Sequence, residues 1–211
     1  MIVHNLNSLT INTLGLCTPS VKTLFGQPKS YVMIQFDKTW TLFLDRDGVI
    51  NRRIAGEYIS DWDDFDFIVG SIKAIEKFSE IFGTIVVVTN QAGIGKGLMT
   101  EKQLHEVHKK LLKTIDLLDG RIDKIYYCPD KPDSNSPNRK PQTGMAMQAK
   151  ADFPHIDFSK SVIVGDSNSD MDFGKRLGMS LVFIEGKDED PSVFAPHFRF
   201  KTLKAFADAV A

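Results

Sequence analysis

The stretch Trp40-Thr41-Leu42-Phe43-Leu44-Asp45-Arg46-Asp47-Gly48-Val49-Ile50-Asn51 sets an apolar run directly against two carboxylates one residue apart. Residues 40–44 read as a buried strand, and Gly48 is a natural place for the chain to turn. In extended backbone, residues i and i+2 point to the same side. Asp45 and Asp47 are therefore expected to project together from the strand end. Buried carboxylates are costly without a cation or hydrogen-bond donors nearby. The pair demands a metal, a substrate, or both.

Outward from this stretch, strands and helices alternate. Ile72, Ile75, Phe78 and Phe82 repeat at helical spacing, and the β-branched residues 85–88 follow as a buried parallel strand. Thr100 and Gln103 form a capping box. The helix they open carries Leu104, Val107, Leu111, Ile115 and Leu118 on one face, and Gly120 is a plausible stop. Residues 125–128 read as a strand, 129–142 as a loop, 143–152 as a helix, and 161–164 as a strand ending at Gly165-Asp166. A helix over 169–177 stops at Gly178. A strand at 181–184 and a closing helix marked by Leu203, Phe206 and Val210 complete the pattern. Residues 52–68, aromatic and acidic without a helical period, read as a β-hairpin or flap. The rhythm predicts an α/β fold, a doubly wound, Rossmann-like parallel sheet with helices on both faces and no large cap domain. Such sheets bind ligands at the carboxyl ends of their strands.

The chain has 211 residues, 42% of them hydrophobic and 25% charged, as in an ordinary globular protein. With 26 basic and 27 acidic side chains it has no basic field for nucleic acid. Two cysteines, Cys17 and Cys128, make no disulfide framework, which points to a reducing, cytoplasmic setting. No run approaches the length of a membrane helix. Polar residues interrupt the apolar ones at 4–13, which argues against a signal peptide. Residues 1–31 read as an extension, loosely packed or lying upstream of a start at Met33, ahead of a single domain over 32–211.

Three inferred strands end in polar groups: Asp45 and Asp47, then Thr89-Asn90-Gln91, then Asp166. The sheet would gather these ends, and Lys140 could join them from the long loop. Such oxygen ligands suit a hard divalent cation such as magnesium. A phosphoryl group suits the cation, the lysine and the threonine. One carboxylate could attack phosphorus, and a second could protonate the leaving oxygen and then deprotonate water.

Asp45-x-Asp47-Gly48, Thr89 after a β-branched strand, Lys140, and Gly165-Asp166-x-x-x-Asp170 together resemble the four motifs of the haloacid dehalogenase-like superfamily. Residues 43–51, 86–97, 126–129 and 139–145 resemble more closely its histidinol-phosphatase and heptose-bisphosphate phosphatase group. The resemblance implies that Asp45 is the nucleophile and Asp47 the general acid/base, with Thr89 and Lys140 holding the transferring phosphoryl group. It implies magnesium on Asp45, the Asp47 carbonyl and Asp166, with Asp170 in support. Arg53, Tyr58, Asn90, Gln91 and Arg139 match positions near substrate. The implied activity is hydrolysis of a small-molecule phosphate ester such as heptose 1,7-bisphosphate, without nucleic-acid or membrane partners. Histidinol phosphate is the rival substrate. A binding domain that keeps the fold without turnover, or a phospho-acceptor domain, is the rival of another class.

The sequence departs from its relatives in two places. Many of them bind zinc through a Cys-x-His and a Cys-x-Cys. Here these read Cys128-Pro129-Asp130 and Ser136-Pro137-Asn138, so no zinc is expected. Ser167 stands where relatives often carry a lysine. Other motifs read blandly. Residues 93–97 lack the spacing of a nucleotide-binding loop, although Lys96 could meet phosphate. Cys128 reads as a small buried hydrophobe. His105 and His108 read as a solvated helix face, and Asp61, Asp63, Asp64, Asp66 and residues 188–190 as solvated surface.

Overall fold

The computed structural model describes residues 21–23, 32–54, 56–186 and 190–211. The expectations for residues 1–20 and 24–31, including Cys17, and for Asp188 lie outside these. Strands β1 (Val21–Thr23) and β2 (Val32–Ile34) form a small antiparallel ladder. The main sheet contains β3 (Thr41–Leu44), β4 (Thr84–Asn90), β5 (Lys124–Cys128), β6 (Ser161–Gly165), β7 (Ser180–Ile184) and β8 (Phe198–Phe200). Their order is β5-β4-β3-β6-β7-β8, and every pairing is parallel.

The apolar strands divide by parity, as a pleat buried on both faces requires. Leu42, Leu44, Ile85, Val87, Val162 and Val164 face one core. They meet α1 (Ser71–Ile81), α2 (Glu101–Leu117) and α5 (Leu203–Ala209). Phe43, Val86, Val88 and Ile163 face the other core, against α3 (Gly144–Asp152) and α4 (Asn168–Leu177). The sheet is thus wound on both sides, as expected. Lys77 joins α1 to the end of the chain by donating to the carbonyls of Ala207 and Val210.

Helix limits follow local chemistry. The capping box at Thr100 forms with Gln103. Gly178 ends α4 in the left-handed conformation at φ 72°. The stop after α2 differs slightly, because the helix ends before Leu118, which is 45% exposed and not on the buried face. The segment 52–68 is no regular hairpin among its described residues. Isolated bridges Asp47–Asn51 and Asn51–Phe67 pin its ends, and stacked Trp62 and Phe65, edge-on to Phe67, organise its middle. Aromatic packing here replaces a ladder. No helix among the described residues is long and apolar enough to cross a membrane.

Phe78 is fully buried between Phe82 and Phe206, where α1 meets α5. Phe78→Ala is expected to cost about 3–5 kcal/mol of stability in urea unfolding.

Candidate active site

The register of the three central strands builds the site. Leu44 lies level with Val87 on β4 and Val164 on β6. Asp45 therefore emerges beside Val88 and Gly165, and its N–H continues the ladder to the Val164 carbonyl at 2.9 Å. Past Asp45 the chain turns tightly. The N–H groups of Ile50 and Asn51 both donate to the Arg46 carbonyl, at 2.9 and 3.2 Å. Gly48 makes this possible at φ 97°. A Cβ there would lie 1.9 Å from Asp166 Oδ2, so the turn needs glycine for its conformation and for its space.

The strand ends open into a cleft of about 440 Å³, lined by Asp45, Asp47, Thr89, Lys140, Arg53, Tyr58, Asn90 and Arg139, and by Ser167–Ser169 at the start of α4. Lys140, 3% exposed, lies at its floor. Its ammonium donates to Asp45 Oδ1 at 2.8 Å, to Asp170 Oδ1 at 2.6 Å and to the Val88 carbonyl at 2.7 Å. Burial would lower the Lys140 pKa, but the two carboxylates outweigh it and raise it. Burial pushes the Asp45 carboxyl above the usual carboxylate range, with Lys140 opposing. Burial acts the same way on Asp170, but Lys140 and the Ser167 hydrogen bonds prevail and hold it low. Ser167 donates to Asp170 Oδ2 from both its N–H and its hydroxyl, which closes a capping box.

Asp47 is held differently. Its carboxylate accepts from Arg46 Nε and Nη2, from Asn51 Nδ2 at 2.9 Å and from Gln91 Nε2 at 2.7 Å. Burial would raise its pKa, but Arg46 and these donors hold it below the carboxylate range. Gln91 also donates to Thr89 Oγ1 at 2.8 Å, which leaves the threonine proton available to the cleft. Gln91 itself is buried, so its amide joins Asp47 to Thr89. Asn90 uses both ends of its amide on the Lys140 backbone, at 3.0 and 3.1 Å. It lines the cleft while fixing the loop that brings in the lysine.

Arg53 bonds Asp166 through Nε at 3.0 Å and Nη2 at 2.6 Å, and Nη2 reaches Asp45 at 3.5 Å. Ligand atoms of Asp45, Asp166 and Asp170 all lie within 4.8 Å of one another. A guanidinium drawn between Asp45 and Asp166 marks a position that takes positive charge. The hard oxygen donors around it fit a divalent cation. Each of the three carboxylates already accepts from a cationic side chain, Asp45 and Asp170 from Lys140 and Asp166 from Arg53.

In the long loop, the buried Cys128 thiol contacts Asp130 and Ser136 at 3.5 and 3.6 Å, and Arg139 donates to the Asp130 carbonyl. Arg46 and Asn51, given no role from the sequence, hold Asp47, and His108, expected on a solvated helix face, meets Arg46. His108 is 6% exposed and meets Arg46 Nη1 at 3.0 Å, so it is not the solvated helix face expected. A buried partner for Arg46 overrides the polar look of that helix. The signal was an arginine set between two site carboxylates on a buried strand end.

Residues 34–190 match the family model described as polynucleotide kinase 3 phosphatase. The chain is 37% identical over 138 residues to D-glycero-alpha-D-manno-heptose-1,7-bisphosphate 7-phosphatase of Mycobacterium tuberculosis, covering 65% of this chain and 73% of the relative. It is 35% identical over 159 residues to D-glycero-beta-D-manno-heptose-1,7-bisphosphate 7-phosphatase of Escherichia coli K12, covering 71% and 82%. Among solved structures, D,D-heptose 1,7-bisphosphate phosphatase of B. bronchiseptica, complexed with magnesium and phosphate, is similar at a TM-score of 0.72. Sequence identity there is 25%, over 80% of this chain and 96% of that one.

Burial and the Arg46 charge push the His108 imidazole down to about 3. The unfolded ring titrates near its ordinary 6.5, so below that pH the unfolded chain binds the extra proton and stability falls as pH falls. Urea unfolding at pH 7 and pH 5 is expected to show wild type losing about 2 kcal/mol relative to His108→Gln. An unchanged difference would mean that the ring takes up its proton in the fold as readily as in the unfolded chain.

Proposed function

The chain belongs to the polynucleotide kinase 3 phosphatase family, within the haloacid dehalogenase superfamily and alongside the heptose 1,7-bisphosphate phosphatases, and from that membership we propose how its cleft works. It removes the 7-phosphate of a heptose 1,7-bisphosphate in two steps, with Asp45 as nucleophile. The observation that carries this reading is the Lys140 ammonium on Asp45 Oδ1, in a cleft where the Thr89 hydroxyl and Asp47 stand on the same floor.

Lys140 keeps Asp45 ionised against its burial and offsets the charge that would repel a phosphate ester. A carboxylate oxygen of Asp45 attacks phosphorus, the bond to the sugar oxygen breaks, and Asp47, which takes up a proton from solvent as the substrate's negative charge enters the cleft, delivers that proton to the leaving oxygen. The Thr89 hydroxyl and Lys140 hold the phosphoryl oxygens. Asp47, now a carboxylate, takes a proton from water as the water attacks the aspartyl phosphate. The P–O bond to Asp45 breaks, and inorganic phosphate leaves. Asp45, the Asp47 carbonyl and Asp166 would hold magnesium, which supplies neutralising charge to the phosphoryl oxygens. Arg139, Tyr58 and Arg53 line the wall that would meet the sugar and its second phosphate. The loop over 129–142 would be held without zinc, through the contacts of Cys128, Asp130 and Ser136.

Asp45→Asn is expected to abolish phosphate release while the melting transition stays cooperative; retained turnover would remove Asp45 from the nucleophile role. A panel of heptose 1,7-bisphosphate, histidinol phosphate and hexose phosphates with magnesium should favour the heptose ester. Activity should vanish on chelation and return with magnesium. Stoichiometric zinc in the purified protein would overturn the zinc-free loop, and inertness toward every ester would favour a binding domain.

A further inference from the structure

Arg46 has no part in the steps above, yet among the described residues it is the largest side chain buried to 1% exposure. Arg46 stands in the tight turn past the end of β3, and its guanidinium lies on the carboxylate of its neighbour Asp47. Nε and Nη2 reach Asp47 Oδ1 at 3.1 and 2.9 Å, and Nη2 reaches Oδ2 at 3.0 Å. Nη1 points the other way, to His108 Nε2 at 3.0 Å, and the Phe65 ring lies 6.0 Å from Cζ. A guanidinium has no acceptor. His108 Nε2 must therefore accept, with the ring proton on Nδ1. Each edge of the fork is committed, and a fork so held has one orientation to offer a carboxylate.

That orientation matters because the cleft contains rival cations. Arg53 and Lys140 share the cleft with Asp47. A carboxylate that swung onto either would leave the path of the leaving oxygen and of the water. We propose that Arg46, seated by His108 and Phe65, is a positioning residue that keeps Asp47 aimed for both proton transfers. It touches neither substrate nor phosphorus. The inference rests on Asp47 being the acid/base of the proposed reaction.

The test uses the full chain with magnesium, comparing wild type with Arg46→Lys, Arg46→Met, His108→Leu and His108→Gln on an alkyl phosphate and on p-nitrophenyl phosphate. The alkyl ester needs a proton on its leaving oxygen, and nitrophenolate does not. For Arg46→Lys and Arg46→Met, kcat on the alkyl ester should fall about 10- to 100-fold with KM within about twofold. On the aryl ester the same variants should release one rapid equivalent of nitrophenol before slow turnover, because phosphoryl transfer is spared while water activation is not. His108→Leu should show a smaller loss of the same kind, and His108→Gln, which keeps an acceptor, should restore wild-type behaviour. Arg46→Lys preserves the buried charge and His108→Leu leaves the Arg46–Asp47 pair intact, so the pair of them decides the matter if Arg46→Met does not fold. Wild-type kcat in those two variants would overturn the proposal. So would equal losses on both esters with no burst, which a merely structural role predicts. A wild-type protein inert toward both esters would overturn the reaction itself.

Discussion

A single buried ammonium balances the centre of this molecule. Lys140 brings one positive charge to two carboxylates and a strand carbonyl that the fold has removed from water. Removing one partner of such a buried pair typically costs about 3–5 kcal/mol, because the other charge is left uncompensated. The sheet can end in Asp45, and α4 can begin with Asp170 turned inward, only because the loop after β5 returns Lys140 to them. Asn90 secures that return from the end of β4 by gripping the lysine backbone. Fold and site are thus one electrostatic arrangement, in which the residues expected to react also permit the strand ends to be buried.

Around this centre the polar groups form two linked systems. Lys140, Asp45, Asp170 and Ser167 make the first. Arg46, Asp47, Asn51, Gln91 and Thr89 make the second, with Gln91 touching both the acid/base candidate and the threonine hydroxyl. The two carboxylates of the Asp45-Arg46-Asp47 stretch are pushed in opposite directions, Asp45 up by burial and Asp47 down by its donors. Residues two apart in sequence thereby acquire different chemistry from their surroundings.

Most of the architecture was legible in the sequence, because its signals are local. The parity of Leu42, Phe43 and Leu44, the β-branched run before Thr89, the capping box at Thr100 and the glycine at 178 each prescribe structure within a few residues. The strand-end rule then brought Asp45, Thr89, Lys140 and Asp166 together. What stayed hidden depends on distant partners. His108 looks polar and solvated until α2 is laid beside Arg46, 62 residues earlier in the chain. The flap looked like a hairpin because its aromatic residues suit strands, and only the stacking of Trp62 on Phe65 shows otherwise. Gln91 and Asn90 looked like substrate contacts, and their amides are spent largely on holding other site residues.

The flap also meets the loop before α2. Tyr58 packs so closely on Gly93 that a Cβ there would lie 2.6 Å from the ring, and Lys96 stands 5.5 Å from the ring centroid. The wall of the cleft is therefore made in part from two short surface segments, whereas its reacting floor is made from strand ends and the lysine of the long loop. The two layers can diverge at different rates. Descendants of this scaffold can exchange flap residues other than Arg53, which is tied to Asp166 and Asp45, and residues of that loop, and so acquire new substrates while the charge balance beneath remains untouched.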